Sequence, residues 1–282
     1  MGAAAESKGA GLELKLLAGS HALLELHARE LPQRDDLCGA FCGALALRAA
    51  GIDTYEGEPL DQDAVARAAG TVVSRVPDLA ALPDGERGRR DYRIEPPLVD
   101  AATASGTNCA GVLNALEQLS GGELAAIALR GPWTAERLDG LFELLAELQR
   151  PATLIANVST RELWGSRARF DELLGCLLAG ALDGPAPDWD VGHFVCVLGR
   201  VQGAAGSLYA IADTYPSLGR HGVHMQPRER LVPALTRPGM TPGGMLAAVA
   251  IEDAPDVRSA AARLGLIEGV WDNGSVAAEQ LR

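Results

Sequence analysis

The chain has 282 residues, of which 48% are hydrophobic and 22% are charged, as is typical of a soluble globular protein. The formal net charge is −12, so no basic excess is available to neutralise the phosphates of a nucleic acid. No apolar run approaches the ~18 residues of a membrane span, and the first residues lack the pattern of an export signal. We therefore expect a cytoplasmic protein with no nucleic-acid or membrane partner.

The cysteines are predicted to be reduced thiols. Five of them, an odd number, are spread along the chain, which is unlike a disulfide framework. Cys38 and Cys42 form a C-x3-C pair, but neither a second pair nor a histidine stands near them at the spacing of a zinc site. Phosphate-binding and dinucleotide-binding glycine motifs are also missing. We therefore expect no metal and no cofactor.

In the N-terminal third, the leucines of residues 12–29 have a broadly helical spacing. His21 and His27 lie six positions apart, and so on different faces of this helix. We predict that both are surface residues without a catalytic role. A short helix is predicted at 61–69, and the Pro- and Gly-rich segment 77–107 is predicted to be a surface excursion or, alternatively, a lid.

Between these segments, a polar stretch gives way at Cys38 to an apolar helical run over 40–50. A cysteine in the first turn of a helix faces unpaired N–H groups and the positive end of the helix dipole, which favours the reactive thiolate. Gln33, five residues upstream, could donate its amide N–H to an oxyanion beside the sulfur. Asp35 and Asp36 would oppose a thiolate unless they point to solvent or cap the helix.

From Gly106 onward the pattern becomes regular, and short apolar strands alternate with amphipathic helices. Helices are predicted at 107–119, 134–148, 170–182, 227–235 and 257–265, and strands at 124–130, 151–158, 193–201, 207–213 and 244–251. The strands at 193–201 and 207–213 form a predicted hairpin. If its turn centres near Gly203, His193 stands opposite Asp213 with Cβ atoms about 5 Å apart, where the carboxylate can hold the imidazole Nδ1–H. A bulge would shift this register.

Individually these residues are weak signals, because a lone cysteine in a helix usually serves packing and an aspartate after a strand usually serves a turn. Together, Gln33, Cys38, His193 and Asp213 supply an oxyanion donor, a nucleophile, a base and a group to orient the base. Cys42 is a competing nucleophile, but it lies deeper in the helix, where the dipole effect has faded. The set predicts thiol-based catalysis.

The motif Gln33-x4-Cys38-Gly39-x2-Cys42 resembles the opening of the C39 peptidases, papain-like cysteine peptidases that process bacteriocin leader peptides. Later segments follow that family's order: Gly106-Thr107-Asn108, the helix at 112–119, the segments at 134–138 and 151–155, Gly192-His193-Phe194-Val195, and Ala212-Asp213-x-x-Pro216. The resemblance implies an α+β, papain-like fold in which a Cys-bearing helix packs on an antiparallel sheet that carries His and Asp. It implies that Cys38 is the nucleophile, Gln33 the oxyanion donor, His193 the general base and acid, and Asp213 the orienting group.

The resemblance covers roughly residues 30–250 and implies one papain-like domain over 1–282, with insertions at about 53–105 and 159–190. Gly39, Gly192 and Tyr215 are predicted to contact substrate. His221 and His224 are further candidates, although we expect them at the surface. The loops at 77–107 and 214–226 are expected to rim the groove.

We therefore expect a cysteine peptidase, or a related thiol acyl transferase, whose partner is a peptide or protein substrate. Water as the second nucleophile would give proteolysis, and an amine would give transfer. The alternative is a non-catalytic C39-like module that holds a peptide in a processing or export system. A third option is a scaffold or toxin-type interaction protein that uses its acidic surface. The sequence does not indicate an oligomeric state.

Overall fold

A computed structural model of the protein describes residues 11–281 and shows an α+β fold with a large antiparallel sheet. The N-terminal segment in which we find no export signal lies mostly outside this range. The described residues form eight α-helices: α1 Ser20–Glu30, α2 Cys38–Ala49, α3 Gln62–Ala68, α4 Cys109–Leu119, α5 Ala135–Ala146, α6 Phe170–Ala179, α7 Arg228–Thr236 and α8 Ala254–Arg263. They form twelve strands: β1 Glu13–Leu16, β2 Thr54–Tyr55, β3 Glu58–Pro59, β4 Val73–Ser74, β5 Leu98–Val99, β6 Leu124–Arg130, β7 Thr153–Ser159, β8 Gly192–Gln202, β9 Ser207–Ala212, β10 Val223–Pro227, β11 Gly244–Ala250 and β12 Ile267–Glu268.

The main sheet has eight antiparallel strands, seven of them in the order β10-β9-β8-β7-β11-β6-β12. The eleven-residue strand β8 is its longest, and β7 pairs along the first part of one edge while β1 pairs along the rest. The prediction of helical structure over 12–29 is therefore wrong for its first part. Residues 13–16 instead form strand β1, which pairs with β8. Helix α1 begins only after Gly19, whose φ of 90° changes the direction of the chain.

Helices cover both faces of the sheet, which explains why its inner strands β6 and β11 are apolar at almost every position. In β6, Leu124, Ala126 and Ala128 belong to the core beneath α2 and α4, while Ala125, Ile127 and Leu129 belong to the core beneath α5 and α8. This alternation follows from the two-residue period of a strand. Ten of the twelve residues of α2 are buried, so α2 is the central helix of its layer.

The β8–β9 hairpin forms as predicted, but its register differs. Its loop has four residues, since Gln202 pairs with Ser207, and an irregularity between Val197 and Gly199 shifts the later pairs. His193 consequently lies opposite Val158 of β7, beyond the last residue that β9 pairs. The expectation that His193 and Asp213 are cross-strand partners is wrong, because the turn centres between Ala204 and Ala205 and not near Gly203, and because a bulge intervenes.

None of the helices in the described part of the chain combines the length and the apolar character that crossing a membrane requires.

Candidate active site

Cys38 is the first residue of α2 and lies in the wall of a cavity of about 400 Å³. It is partly exposed, whereas the other four cysteines are buried. Leu37, at the N-cap, provides no side-chain acceptor for the first turn of the helix, so backbone N–H groups beside the sulfur remain available to an anion. Burial raises the pKa of Cys42 well above its ordinary value. Cys42 is therefore a protonated core thiol and a poor competitor for the role of nucleophile.

His193 and Asp213 form a buried pair beside Cys38. The His193 Nε2 lies 2.9 Å from Asp213 Oδ1 and 3.2 Å from Thr214 Oγ1, which leaves Nδ1 as the ring nitrogen available to interact with Cys38. The sequence-based prediction paired the carboxylate with Nδ1 of His193. In the structure the carboxylate is paired with Nε2. The reason is the register described above: Asp213 approaches from beyond the end of β9 and not from directly across the hairpin.

The protonation states follow from this pairing. Burial acts to lower the pKa of His193, but the Asp213 carboxylate and the contact with Cys38 raise it to about 10. Burial acts to raise the pKa of Asp213, but the His193 and His224 rings outweigh it and hold that pKa well below its ordinary range. At neutral pH the pair is therefore an imidazolium and a carboxylate. The imidazolium beside Cys38 holds a proton ready for a leaving group.

A second histidine orients Asp213 from the other side. The Trp164 backbone N–H donates to Gln226 Oε1 at 2.8 Å, which fixes the Gln226 amide so that its Nε2 donates to His224 Nδ1 at 3.0 Å. His224 is therefore left with its proton on Nε2, which donates to Asp213 Oδ2 at 3.2 Å. Both carboxylate oxygens of Asp213 thus accept from a histidine, and the carboxylate cannot rotate without losing a bond.

His27 is the third histidine at this aspartate. Its Nε2–H donates to the Asp213 backbone carbonyl at 2.5 Å, and burial lowers its pKa, so the ring is neutral. The predictions of surface positions for His27 and His224 are wrong: they are 1% and 5% exposed. For His224 a signal was available, because His224 and Gln226 alternate along β10. The glycines of the preceding segment predicted a loop that continued to Val223, so this five-residue strand was not predicted.

Replacing His224 with alanine tests this support of the carboxylate. We expect the free energy of unfolding to fall by about 1.5–3 kcal/mol, the usual contribution of a hydrogen bond to a charged group. Urea unfolding at pH 7 measures the change, and a His224→Gln variant, which retains a donor, should lose less. The control is His21→Ala, an exposed position on α1, for which a change within about 0.5 kcal/mol is expected. Equal losses at the two histidines would contradict the assignment.

The other predicted site residues divide into two groups. Gln33, Gly192 and Tyr215 line the cavity with Cys38 and His193. Gln33 Oε1 is buried and finds no hydrogen-bond partner in the described part of the chain, so its amide is not committed to another structural contact through that oxygen. Gly39 does not line the cavity. It faces the core, where an added Cβ would lie 3.0–3.3 Å from Thr107, Val112 and Phe194, and its role is to let α2 approach the sheet.

Two aromatic side chains enclose His193. Tyr215 stacks on the imidazole with 6.3 Å between ring centroids, and Trp189 meets its edge at 4.8 Å. Trp189 stands in an irregular loop four residues before His193, where no local pattern marks it in the sequence. These rings keep water from the His193–Asp213 hydrogen bond, which strengthens it.

Asp35 and Asp36 neither cap α2 nor point freely to solvent. Asp35 Oδ1 accepts from the Arg89 backbone N–H and Asp36 Oδ2 from that of Ser74, each at 2.8 Å. Burial raises the pKa of both carboxyl groups, which weakens their opposition to a thiolate at Cys38. Asp35 thereby anchors the segment 77–107 and Asp36 anchors β4 just before it. Residues 77–79, 81–82 and 102–103 of the segment line the cavity. This segment therefore forms a wall of the site, as expected of a loop that rims a groove.

Within residues 11–281, no three His, Cys, Asp or Glu side chains are arranged to hold a metal ion. The sequence model of a protein family described as a family of unknown function (DUF6885) matches residues 17–272 of the chain. This span contains every site residue described above. No curated protein matches the chain.

Proposed function

The chain belongs to the DUF6885 family, whose function is unknown, and we propose that it is a papain-like cysteine peptidase or a related thiol acyl transferase. One observation carries the proposal. The partly exposed Cys38 heads a helix at a cavity wall and contacts His193, whose other nitrogen is paired with the buried Asp213. Amide cleavage by a thiol needs a nucleophile, a base beside it and a group that orients the base, and Cys38, His193 and Asp213 supply these three groups in that order.

The chemistry follows from the charges. The Cys38 thiolate attacks the carbonyl carbon of a peptide amide, and the carbonyl oxygen becomes an oxyanion. The Cys38 backbone N–H and the Gln33 amide are placed to donate to it. His193 gives its proton to the amide nitrogen, the C–N bond breaks, and the amine leaves a thioester on Cys38. His193, now neutral, takes a proton from water or an amine, which attacks the thioester and regenerates the thiolate.

The order of elements supports a C39-like fold in particular. A Cys-bearing helix packs on an antiparallel sheet, His193 opens one of its strands, and Asp213 follows the neighbouring strand. The single domain over 1–282 stays a prediction. The insertion at 53–105 is partly integral to the core, since α3 packs on α2 through residues such as Val65. The rest of this insertion lines the cavity and narrows it. A narrow cavity suits an extended peptide better than a folded protein.

Incubation with a mixture of unrelated synthetic peptides tests the proposal. We expect cleavage products in mass spectrometry with the wild type, none with Cys38→Ala, and hydroxamates when hydroxylamine intercepts the thioester. Cys176→Ala, which changes a buried thiol in a separate small core, is the matched control and should cleave normally. Cleavage by Cys38→Ala would refute the mechanism. Peptide binding with neither products nor hydroxamates would identify the non-catalytic module instead.

A further inference from the structure

The wall of the cavity contains a buried arginine that has no acidic partner within residues 11–281. Arg237 is 2% exposed and lines the cavity with Cys38 and His193. Its Nη1 donates to Asn157 Oδ1 at 2.8 Å, its Nη2 meets only the weak acceptor Met240 Sδ at 3.9 Å, and its Nε is buried without a partner. By contrast, the similarly buried Arg200 forms ion pairs with Asp139 and Glu143.

This arrangement leaves a positive charge unbalanced inside the protein. A guanidinium does not lose its proton under ordinary conditions, although burial lowers the pKa of Arg237 and the charge of Asp272 only partly offsets this. Asp272 is itself exposed and makes no ion pair with Arg237 in the described residues. An uncompensated buried charge destabilises a fold strongly. An anion that enters the cavity would supply the missing partner.

Two glycines and an asparagine surround the Arg237 side chain. A Cβ at Gly192 would lie 2.6 Å from Arg237 Nη2, and a Cβ at Gly243 would lie 2.8 Å from Arg237 Cδ. The two glycines leave the space in which the side chain lies. Asn157, which accepts from Arg237, also accepts from Trp271 Nε1 at 3.0 Å and donates to the His193 carbonyl at 3.3 Å. The guanidinium is therefore held rigidly next to the residue that precedes the catalytic histidine.

We propose that Arg237 is an anion subsite that binds a carboxylate of the substrate close to the amide that is cleaved. A guanidinium presents paired N–H donors that match a carboxylate. The cavity's other arginine, Arg90, is already used, since its Nη1 and Nη2 donate to the backbone carbonyls of Arg75 and Ser74. The carboxylate belongs either to an Asp or Glu side chain or to the C-terminus of the peptide. This inference deepens the proposed function and rests on it for the identity of the substrate.

Binding of three matched peptides to the Cys38→Ala protein tests the subsite without requiring catalysis. The first is acetyl-Gly-Glu-Gly-amide, with an acidic side chain only. The second is acetyl-Gly-Gln-Gly with a free carboxylate, and the third is acetyl-Gly-Gln-Gly-amide, which is neutral. Calorimetry at low salt is expected to show at least tenfold tighter binding of one acidic peptide than of the neutral one. Which acidic peptide it is distinguishes the side chain from the C-terminus.

Adding Arg237→Gln should reduce that preference to less than threefold, Arg237→Lys should retain part of it, and Arg90→Gln should retain all of it. Equal affinities for the three peptides, including no binding of any, would overturn the subsite. A preference that survives Arg237→Gln would do the same. If Arg237→Gln does not fold, the preference in the parent protein and its partial loss in Arg237→Lys decide the question. An acid preference without any turnover by the wild-type protein would refute the peptidase and leave the subsite standing.

Discussion

Replacing Cys38 with alanine is expected to abolish the rapid reaction of this protein with iodoacetamide at pH 7, together with turnover of any amide substrate. Cys38 is the partly exposed thiol of the five, and it contacts an imidazolium. A free thiol is only a few per cent ionised at pH 7, so a thiolate paired with His193 should be alkylated roughly tenfold faster or more than a small-molecule thiol. Mass spectrometry of the protein after brief treatment gives the number and position of the labels.

Two further variants make this result specific. Cys176→Ala should be labelled at the wild-type rate, because Cys176 is buried and burial raises its pKa to about 11. His193→Ala should slow the labelling of Cys38 towards the rate of a free thiol, because the charge that stabilises the thiolate is gone. If Cys38 reacts no faster than a small-molecule thiol in the wild-type protein, the ion pair is absent and the peptidase proposal fails with it.

Asp213→Asn should have the second large effect, through the charge of His193. The Asp213 carboxylate is the main reason that the pKa of His193 rises to about 10 against the effect of burial. With a neutral amide in its place, burial should lower that pKa below the ordinary value of 6.5, and the ring should be neutral at pH 7. We expect kcat/KM to fall by about 10²- to 10⁴-fold, as in triads whose carboxylate is replaced. NMR of the histidine ring protons measures the pKa directly.

The stability of the protein should change with pH in a defined window. The raised pKa of His193 means that its contribution to stability is complete below 6.5 and is lost as the pH rises towards about 10. The lowered pKa of Asp213 means that its contribution is present above 3.8 and is lost as the pH falls below that value. The Tm difference between the wild type and Asp213→Asn should therefore be largest at about pH 4 to 6.5 and should shrink between pH 6.5 and 10.

Asp213→Glu and Asp139→Asn are suitable comparisons. The first keeps the charge and should keep His193 protonated at pH 7 even if the geometry suffers. The second removes a carboxylate from the ion-pair cluster around Arg200 and Arg228, whose members do not line the cavity, and should leave the His193 titration unchanged. A pKa of His193 that is unaltered in Asp213→Asn would show that the carboxylate does not hold the proton on the ring.

Local patterns predicted most of the elements. The leucine spacing of α5 and its Thr134 cap, the glycine pair that ends α4, and the apolar run of β6 are all signals contained within a dozen residues. Such signals act through helix capping and side-chain periodicity, which do not depend on distant parts of the chain. The same reasoning placed Cys38 at the head of a helix, where the structure has it.

The short strands that extend only because a partner strand pairs with them were not predictable in this way. β1 and β10 are short, and their residues extend because β8 and β9 offer them unpaired backbone groups. The position of His193 relative to Asp213 depended on a bulge and on where the turn is centred, neither of which the sequence revealed. The conversion of His27 and His224 from expected surface residues to supports of Asp213 has the same origin, because each comes from a different element.

By itself, the sequence determined which residues could do chemistry and which segments carry them: a thiol at a helix start, an imidazole that opens a strand, and a carboxylate that closes the next. Only the tertiary structure decided that these groups meet, which imidazole nitrogen each neighbour uses, and that Arg237 enters the same cavity unpaired. The physical reason is the range of the forces involved. Helix and strand preferences act over a few residues, whereas desolvation and charge pairing depend on atoms brought together from positions 38, 193, 213 and 237.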